Sequence, residues 1–168
     1  MSNCTRYRIY LTSLWVLVSL VACTSVQFEG SEDRLHALPR DLMGEAVPVP
    51  QGTVIWGGRI LEIANFEEVT EFLVLAYPLT TGNVPRIDEE SVGRFVVRFE
   101  GYLEPLDYAP GRYLSMAGQL QGKSDEWAYE GVAVDLPLVR SKQVHLWPRD
   151  QSSWRTRINF GLSVFIHN

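Results

Sequence analysis

Hydrophobic and polar positions change their rhythm four times along the chain. An apolar run from Ile9 to Val21, broken only by Tyr10, Thr12, Ser13 and Ser19, follows Arg6 and Arg8, and no acidic residue occurs before Glu29. From Thr24 to about Pro50 the pattern dissolves into Ser, Glu, Asp and Pro, which reads as a solvated tether carrying one short helical piece. Ser31 is placed to cap a turn through Leu38 that Pro39 stops, and a further half turn is expected over 40–44. From Thr53 on, period-two alternation dominates and predicts strands. Thr53 to Ile63 has large residues on both parities, as a strand buried on both faces does, and Gly57 and Gly58 inside it mark a bulge or tight bend. Thr70 to Tyr77 is a second strand. Arg94 to Phe99 is a third, with Phe95, Val97 and Phe99 inward. Tyr113 to Leu120 is a fourth, with Leu114, Met116, Gly118 and Leu120 inward. Tyr129 to Val139 and Gln143 to Trp147 supply a fifth and a sixth. Short strands punctuated by Gly, Pro and Asp, without a convincing helix between them, predict an all-β fold, a small five- or six-stranded OB-like barrel.

The last stretch alternates again. Trp154, Thr156, Ile158, Phe160, Leu162, Val164 and Ile166 share one parity, which predicts an extra strand in the tail at 149–168. Two readings stand: the tail pairs with the sheet and covers part of the core, or it lies against a membrane or adds a strand to a partner's sheet. It cannot span lipid alone, since its backbone groups would go unpaired.

The first run is too short and too rich in hydroxyls for a retained membrane helix, which needs about 20 apolar residues. A positive flank, a short apolar middle and a small residue before the cut are the marks of a secretory signal, here residues 1–22. Leu20, Val21, Ala22 and Cys23 resemble a bacterial lipobox, in which the cysteine thiol is acylated and the cysteine becomes the first residue of the mature chain. The expected segments are therefore a tether at 23–50, a barrel domain at 51–148 and the tail. Membrane lipid, reached through chains such as palmitate on Cys23, is the first expected partner. Thr24 rather than aspartate after the cysteine resembles the default route to the outer membrane in lipoproteins of this kind. Cys4 leaves with the signal, so the mature chain has no second thiol for an internal disulfide.

Charge narrows the partners further. Losing Arg6 and Arg8 leaves 13 basic residues against 20 acidic ones, a net charge of about −7, with Lys123 and Lys142 the only lysines. Such a surface repels a phosphate backbone, so nucleic acid is not an expected partner.

The residues also resemble a known family. Val54 to Ile60, then Thr70 and Val74 to Leu79, then Ser91 and Gly93 to Phe95, Gly101 to Tyr108, Gly111 to Tyr113, Gly118 and His145 to Trp147 are similar to the Slp family, the starvation-inducible outer-membrane lipoproteins of Gram-negative bacteria. The resemblance implies a lipid-anchored, periplasm-facing β-domain in the cell envelope. It implies no reaction. The tail departs from it, since the family end is aromatic and rich in proline.

Candidate chemistry is sparse. His36, His145 and His167 have no metal-pair spacing, and with Cys23 acylated no thiolate remains, so neither a metal site nor a cofactor is expected. His145, flanked by Val144, Leu146 and Trp147, reads as a hydrogen-bonded strand histidine. No Gly-x-Ser-x-Gly elbow surrounds Ser91 or Ser115, and the acidic pairs at Glu67 and Glu68, Asp88 to Glu90, and Asp125 and Glu126 fall in polar turns. The segment Gly101 to Arg112 has two readings. It is a structural corner in which Leu103, Leu106 and Tyr108 plug the barrel, or Tyr102, Tyr108, Arg112 and Tyr113 form a recognition surface for a sugar or peptide. Arg94, Arg98 and Arg112 are also candidates for ion pairs with the many carboxylates. The leading expectation is a non-enzymatic lipoprotein that binds another envelope component, protein or glycan, or supports envelope integrity under stress. The alternative is a periplasmic oligosaccharide- or peptide-binding module on the barrel.

Overall fold

A computed structural model of the chain describes residues 26–29, 33–44, 47–124, 127–129, 132–133, 135–152 and 154. Among the described residues seven strands follow one short 3-10 turn, Pro39–Leu42: β1 (Thr53–Asn65), β2 (Val69–Ala76), β3 (Arg94–Glu100), β4 (Tyr113–Ser124), β5 (Ala128–Tyr129), β6 (Val132–Ala133) and β7 (Leu136–Leu146). Five of them close into a barrel in the order β1-β2-β3-β7-β4, and β5 and β6 form a separate two-stranded ladder. Every barrel pair is antiparallel except β3 with β7. This is the all-β, OB-like closure that the alternation predicted.

The alternation also assigned the inner faces of β3 and β4: Phe95, Val97, Leu114, Met116 and Leu120 lie in the barrel core, joined there by Val54, Trp56, Ile60, Phe72, Val74 and Val139. Each such side chain contributes roughly 1.5–3 kcal/mol on burial. β1 is covered on both faces, as its composition required: Ile55 packs outward on Ala117 and Phe28. Gly58 sits where β1 passes from pairing with β4 to pairing with β2, and a Cβ there would lie 1.9 Å from the Leu75 carbonyl oxygen. The bulge that the glycine pair announced falls just beyond, between Ile60 and Glu62.

Two expectations about strands and turns are corrected. The end of the expected fifth strand and the sixth are one, β7, because the polar Arg140, Ser141 and Lys142 do not interrupt the ladder, while Tyr129, Val132 and Ala133 belong to the separate β5–β6 ladder. Ser141 is buried with its hydroxyl donating to the Ala117 carbonyl at 2.7 Å, and a register shift there leaves Lys142 as a bulge residue pointing to solvent. Pro39 does not stop a turn but opens one, at the first helical position where its missing N–H costs nothing. Residues 34–38 before it have no regular structure.

The described residues of the segment expected as a solvated tether lie across the barrel instead. Asn83 Nδ2 donates to the Val26 carbonyl (2.8 Å), Phe28 is buried, and Glu29 exchanges two hydrogen bonds with the Gln143 side chain. Further on, Leu35 N–H donates to Thr53 O, Arg40 N–H to Val92 O and Gly44 N–H to Asp135 O. Gly93 permits the second of these: its φ is +112°, and a Cβ there would meet the Arg40 nitrogen at 2.6 Å. Leu35, Ala37, Leu38 and the buried Leu42 close one end of the barrel. This is a strap, and its apolar contacts are too irregularly spaced to show as a period.

The opposite end is closed by the β3–β4 loop. Leu103 and Tyr108 pack on the core as expected, with the Tyr108 ring 5.6 Å from that of Phe72. Leu106 does not. It is exposed, because the turn at 104–107 directs it away from the barrel. Trp154 is buried beside the barrel wall, and its N–H donates to the Gln151 carbonyl in a turn; the alternating run from Arg155 onward lies outside the described residues.

Candidate functional site

The four residues expected to form a recognition surface take separate positions. Tyr102 stands out into solvent, while Tyr108 lies half-buried at the barrel end. Burial, and then the neighbouring Asp107 charge, push the Tyr108 phenol above its ordinary pKa. Arg112 is committed to carbonyls rather than carboxylates, donating to Asp107 O (2.5 Å) and Trp147 O (3.0 Å). Burial and then the Arg149 charge draw its guanidinium below the usual range, but it stays cationic. Tyr113 belongs to an aromatic belt on the outer wall: Tyr77, Tyr113, Trp154, Trp147 and His145 follow one another with ring centroids 6.4, 5.2, 5.7 and 4.5 Å apart. The belt leaves no local signal in the sequence, because it joins positions far apart along the chain. The arginine pairs expected on the strands are present at Arg98, whose Nε lies 2.5 Å from the buried Glu71. Glu100, held by Lys142 and Arg140, has its carboxyl drawn below the ordinary range, first by the Lys142 hydrogen bond.

Ser115 is not an available nucleophile. Fully buried, its hydroxyl donates to the Asn83 carbonyl (2.6 Å) and accepts from Trp147 Nε1 (2.9 Å). Asn83 in turn holds Val26 and adopts φ +62°, a conformation that asparagine tolerates in tight turns. One hydroxyl thus joins the aromatic belt, the hairpin at 79–85 and the strap. His145 faces the same wall. Burial pulls its imidazole below the ordinary value of 6.5. The folded state therefore binds fewer protons than the unfolded chain, and this contribution to stability is complete above the unfolded value of about 6.5 and is lost as pH falls from there through the lower folded value. The urea midpoint is expected to drop between pH 7.5 and 5, and His145→Gln to remove part of the drop; identical pH profiles for the two proteins would contradict this.

Two concave or apolar features remain. A groove of about 200 Å³ runs between strap residues 34–39 and the segment from Ala76 to Asn83, with Trp56, His36 and Tyr77 among its walls. The outer face of β2 and β3, where OB barrels commonly take oligonucleotides and sugars, is occupied here by the chain itself: Met43 and Trp127 pack over Leu73, Val96 and Leu138. At the barrel end closed by Leu103 and Tyr108, Phe66, Tyr102 and Leu106 are 53, 67 and 77% exposed, and among the described residues they are the large hydrophobic side chains most open to water. The turn and loop that carry them are tied together by Gly101 N–H to Glu68 O and Asn65 Nδ2 to Leu103 O. Among the described residues no group of His, Cys, Asp or Glu comes together that could hold a metal ion. The residues that resemble a lipobox, Leu20 to Ala22, and Cys23 lie outside the described residues.

Comparison with known proteins extends the likeness over most of the chain. An uncharacterized protein of Haemophilus influenzae is 30% identical over 96 residues, which are 56% of this chain and 51% of that protein. The uncharacterized lipoprotein YeaY of Escherichia coli K12 is 29% identical over 70 residues, 42% of this chain and 36% of its own length. The chain thus spans about half or less of the curated relatives it matches. No solved structure is significantly similar to it. The family profile described as the outer membrane lipoprotein Slp family matches residues 20–163, through the barrel and into the tail. With that match covering most of the chain, the barrel and its strap included, the chain belongs to the Slp family of outer membrane lipoproteins.

Proposed function

We propose that the protein is a non-enzymatic lipoprotein, anchored by acylated Cys23 and facing the periplasm, that holds another envelope protein against the outer membrane and so supports the envelope under stress. The observation that carries the docking role is the gathering of Phe66, Tyr102 and Leu106 at one barrel end. Exposed large apolar side chains concentrated in one place mark interaction sites more often than chance exposure does. Tyrosine is suited to such a place, having an apolar body and a polar tip. The four carboxylates around them, Glu67, Glu68, Glu104 and Asp107, form a polar rim of the kind that surrounds protein interfaces.

A photo-crosslinking residue at Tyr102, introduced into cells and activated in intact envelopes, is expected to give a discrete protein adduct that Leu106→Ser weakens. The same residue at Thr81, on the hairpin, is expected to give none. The oligosaccharide- or peptide-binding reading attaches to the groove at Trp56, because the β2–β3 face is covered. Adducts at His36 and not at Tyr102 would favour it over docking.

A further inference from the structure

We infer that the wall formed by Val26 to Phe28 and the hairpin at 79–85 lies against the headgroup layer of the leaflet that holds the acyl chains. The inference rests on the acylated Cys23 proposed above.

Its first support is length. Only Thr24 and Ser25 separate Cys23 from Val26, so three peptide steps, about 10–11 Å when fully extended, join the lipid to the barrel. Had the segment been free up to Thr53, its 30 residues would have reached about 100 Å. The strap removes that freedom because it is held from its first described residue: Val26 O accepts from Asn83 Nδ2, Phe28 is 7% exposed against Ile55 and Ala117, and Glu29 is doubly bonded to Gln143. The barrel wall beside Val26 is therefore drawn onto the bilayer.

Charge is the second support. In a mature chain of net charge about −7, neither Thr24 to Phe28 nor Leu79 to Pro85 contains an ionisable side chain. The hairpin is well built, with Leu79 bridged to Pro85, Thr80 N–H donating to Val84 O, and Asn83 N–H to Thr80 O. It presents the neutral Thr81 and Gly82 at its tip. At the opposite end the exposed Glu67, Glu68, Glu104 and Asp107 would meet lipid phosphates with like charge. A neutral wall beside a short leash and an acidic end remote from it give the molecule a down side and an up side.

The test uses the acylated full-length protein, its acyl mass first verified, in phosphatidylethanolamine–phosphatidylglycerol vesicles carrying a headgroup nitroxide. Cysteines placed singly at exposed sites, Thr81→Cys near the leash and Glu67→Cys or Tyr102→Cys at the far end, are the only free thiols once Cys4 has left and Cys23 is acylated. Each carries the same small fluorophore. Quenching at position 81 is expected to be several-fold stronger than at 67 or 102. Equal quenching, or stronger quenching at 67 and 102, would overturn the orientation. Purified chain lacking the acyl mass would overturn the anchor reading beneath it, a distinct failure seen before any fluorescence is measured.

Discussion

Exchanging Cys23 for serine is expected to abolish incorporation of labelled palmitate and to empty the outer-membrane fraction of the protein. The size of the effect follows from the anchor. Each methylene buried in a bilayer contributes about 0.8 kcal/mol, so one chain binds marginally, whereas two or three hold a protein almost permanently. A serine hydroxyl is not the nucleophile that the lipid-transferring chemistry needs, and among the described residues no helix is long and apolar enough to cross a membrane. Fractionation of outer from inner membrane, together with the palmitate label, reads the outcome. Unchanged outer-membrane residence without label would mean that the barrel binds the envelope by its own surface.

The second large effect is expected inside the barrel. Trp56→Ala should cost about 3–5 kcal/mol, the range for deleting a large buried aromatic ring, out of the 5–15 kcal/mol typical of a whole domain. Trp56 is 5% exposed, stands edge-on to Phe95 with centroids 5.1 Å apart, and donates from Nε1 to the Ala37 carbonyl at 2.8 Å. The ring therefore fills the core, and its N–H latches the strap. Trp56→Phe separates the two roles: most of the apolar volume stays and the latch goes, at a cost of about 1 kcal/mol, the net worth of one hydrogen bond. Urea unfolding should rank the variants in that order. Limited proteolysis of Trp56→Phe should cut within 26–50 under conditions where the barrel survives. Equal losses for both variants would show that the latch, not the ring, carries the stability.

Much of this was legible in the chain because the decisive signals are local. β1 to β4 begin within a residue of where the alternation puts them, and Phe95, Val97, Leu114, Met116 and Leu120 point inward as their parity demands. A strand half exposed to water must alternate, and the alternation is written in consecutive residues. The strap was not legible. Val26, Phe28, Leu35 and Leu42 are spaced by contacts with Asn83, Ala117, the β1 backbone and the core, partners far away along the chain. Arg112 was misjudged in a related way, because charge suggests a carboxylate partner while the fold offers it two carbonyls. The unity of β7 was hidden by Ser141, a polar residue that breaks the pattern on paper and satisfies its hydroxyl on Ala117 in the fold.

The closing strand has a consequence for how the protein is made. β7 is at once the parallel neighbour of β3 and the antiparallel neighbour of β4. During export, neither seam can be sewn until residue 136 has emerged, and until then β3 and β4 each present a bare row of backbone donors and acceptors. Non-local pairing of this kind is slow, so a chain still short of residue 136 keeps two open sheet edges of the kind that pair with neighbouring chains.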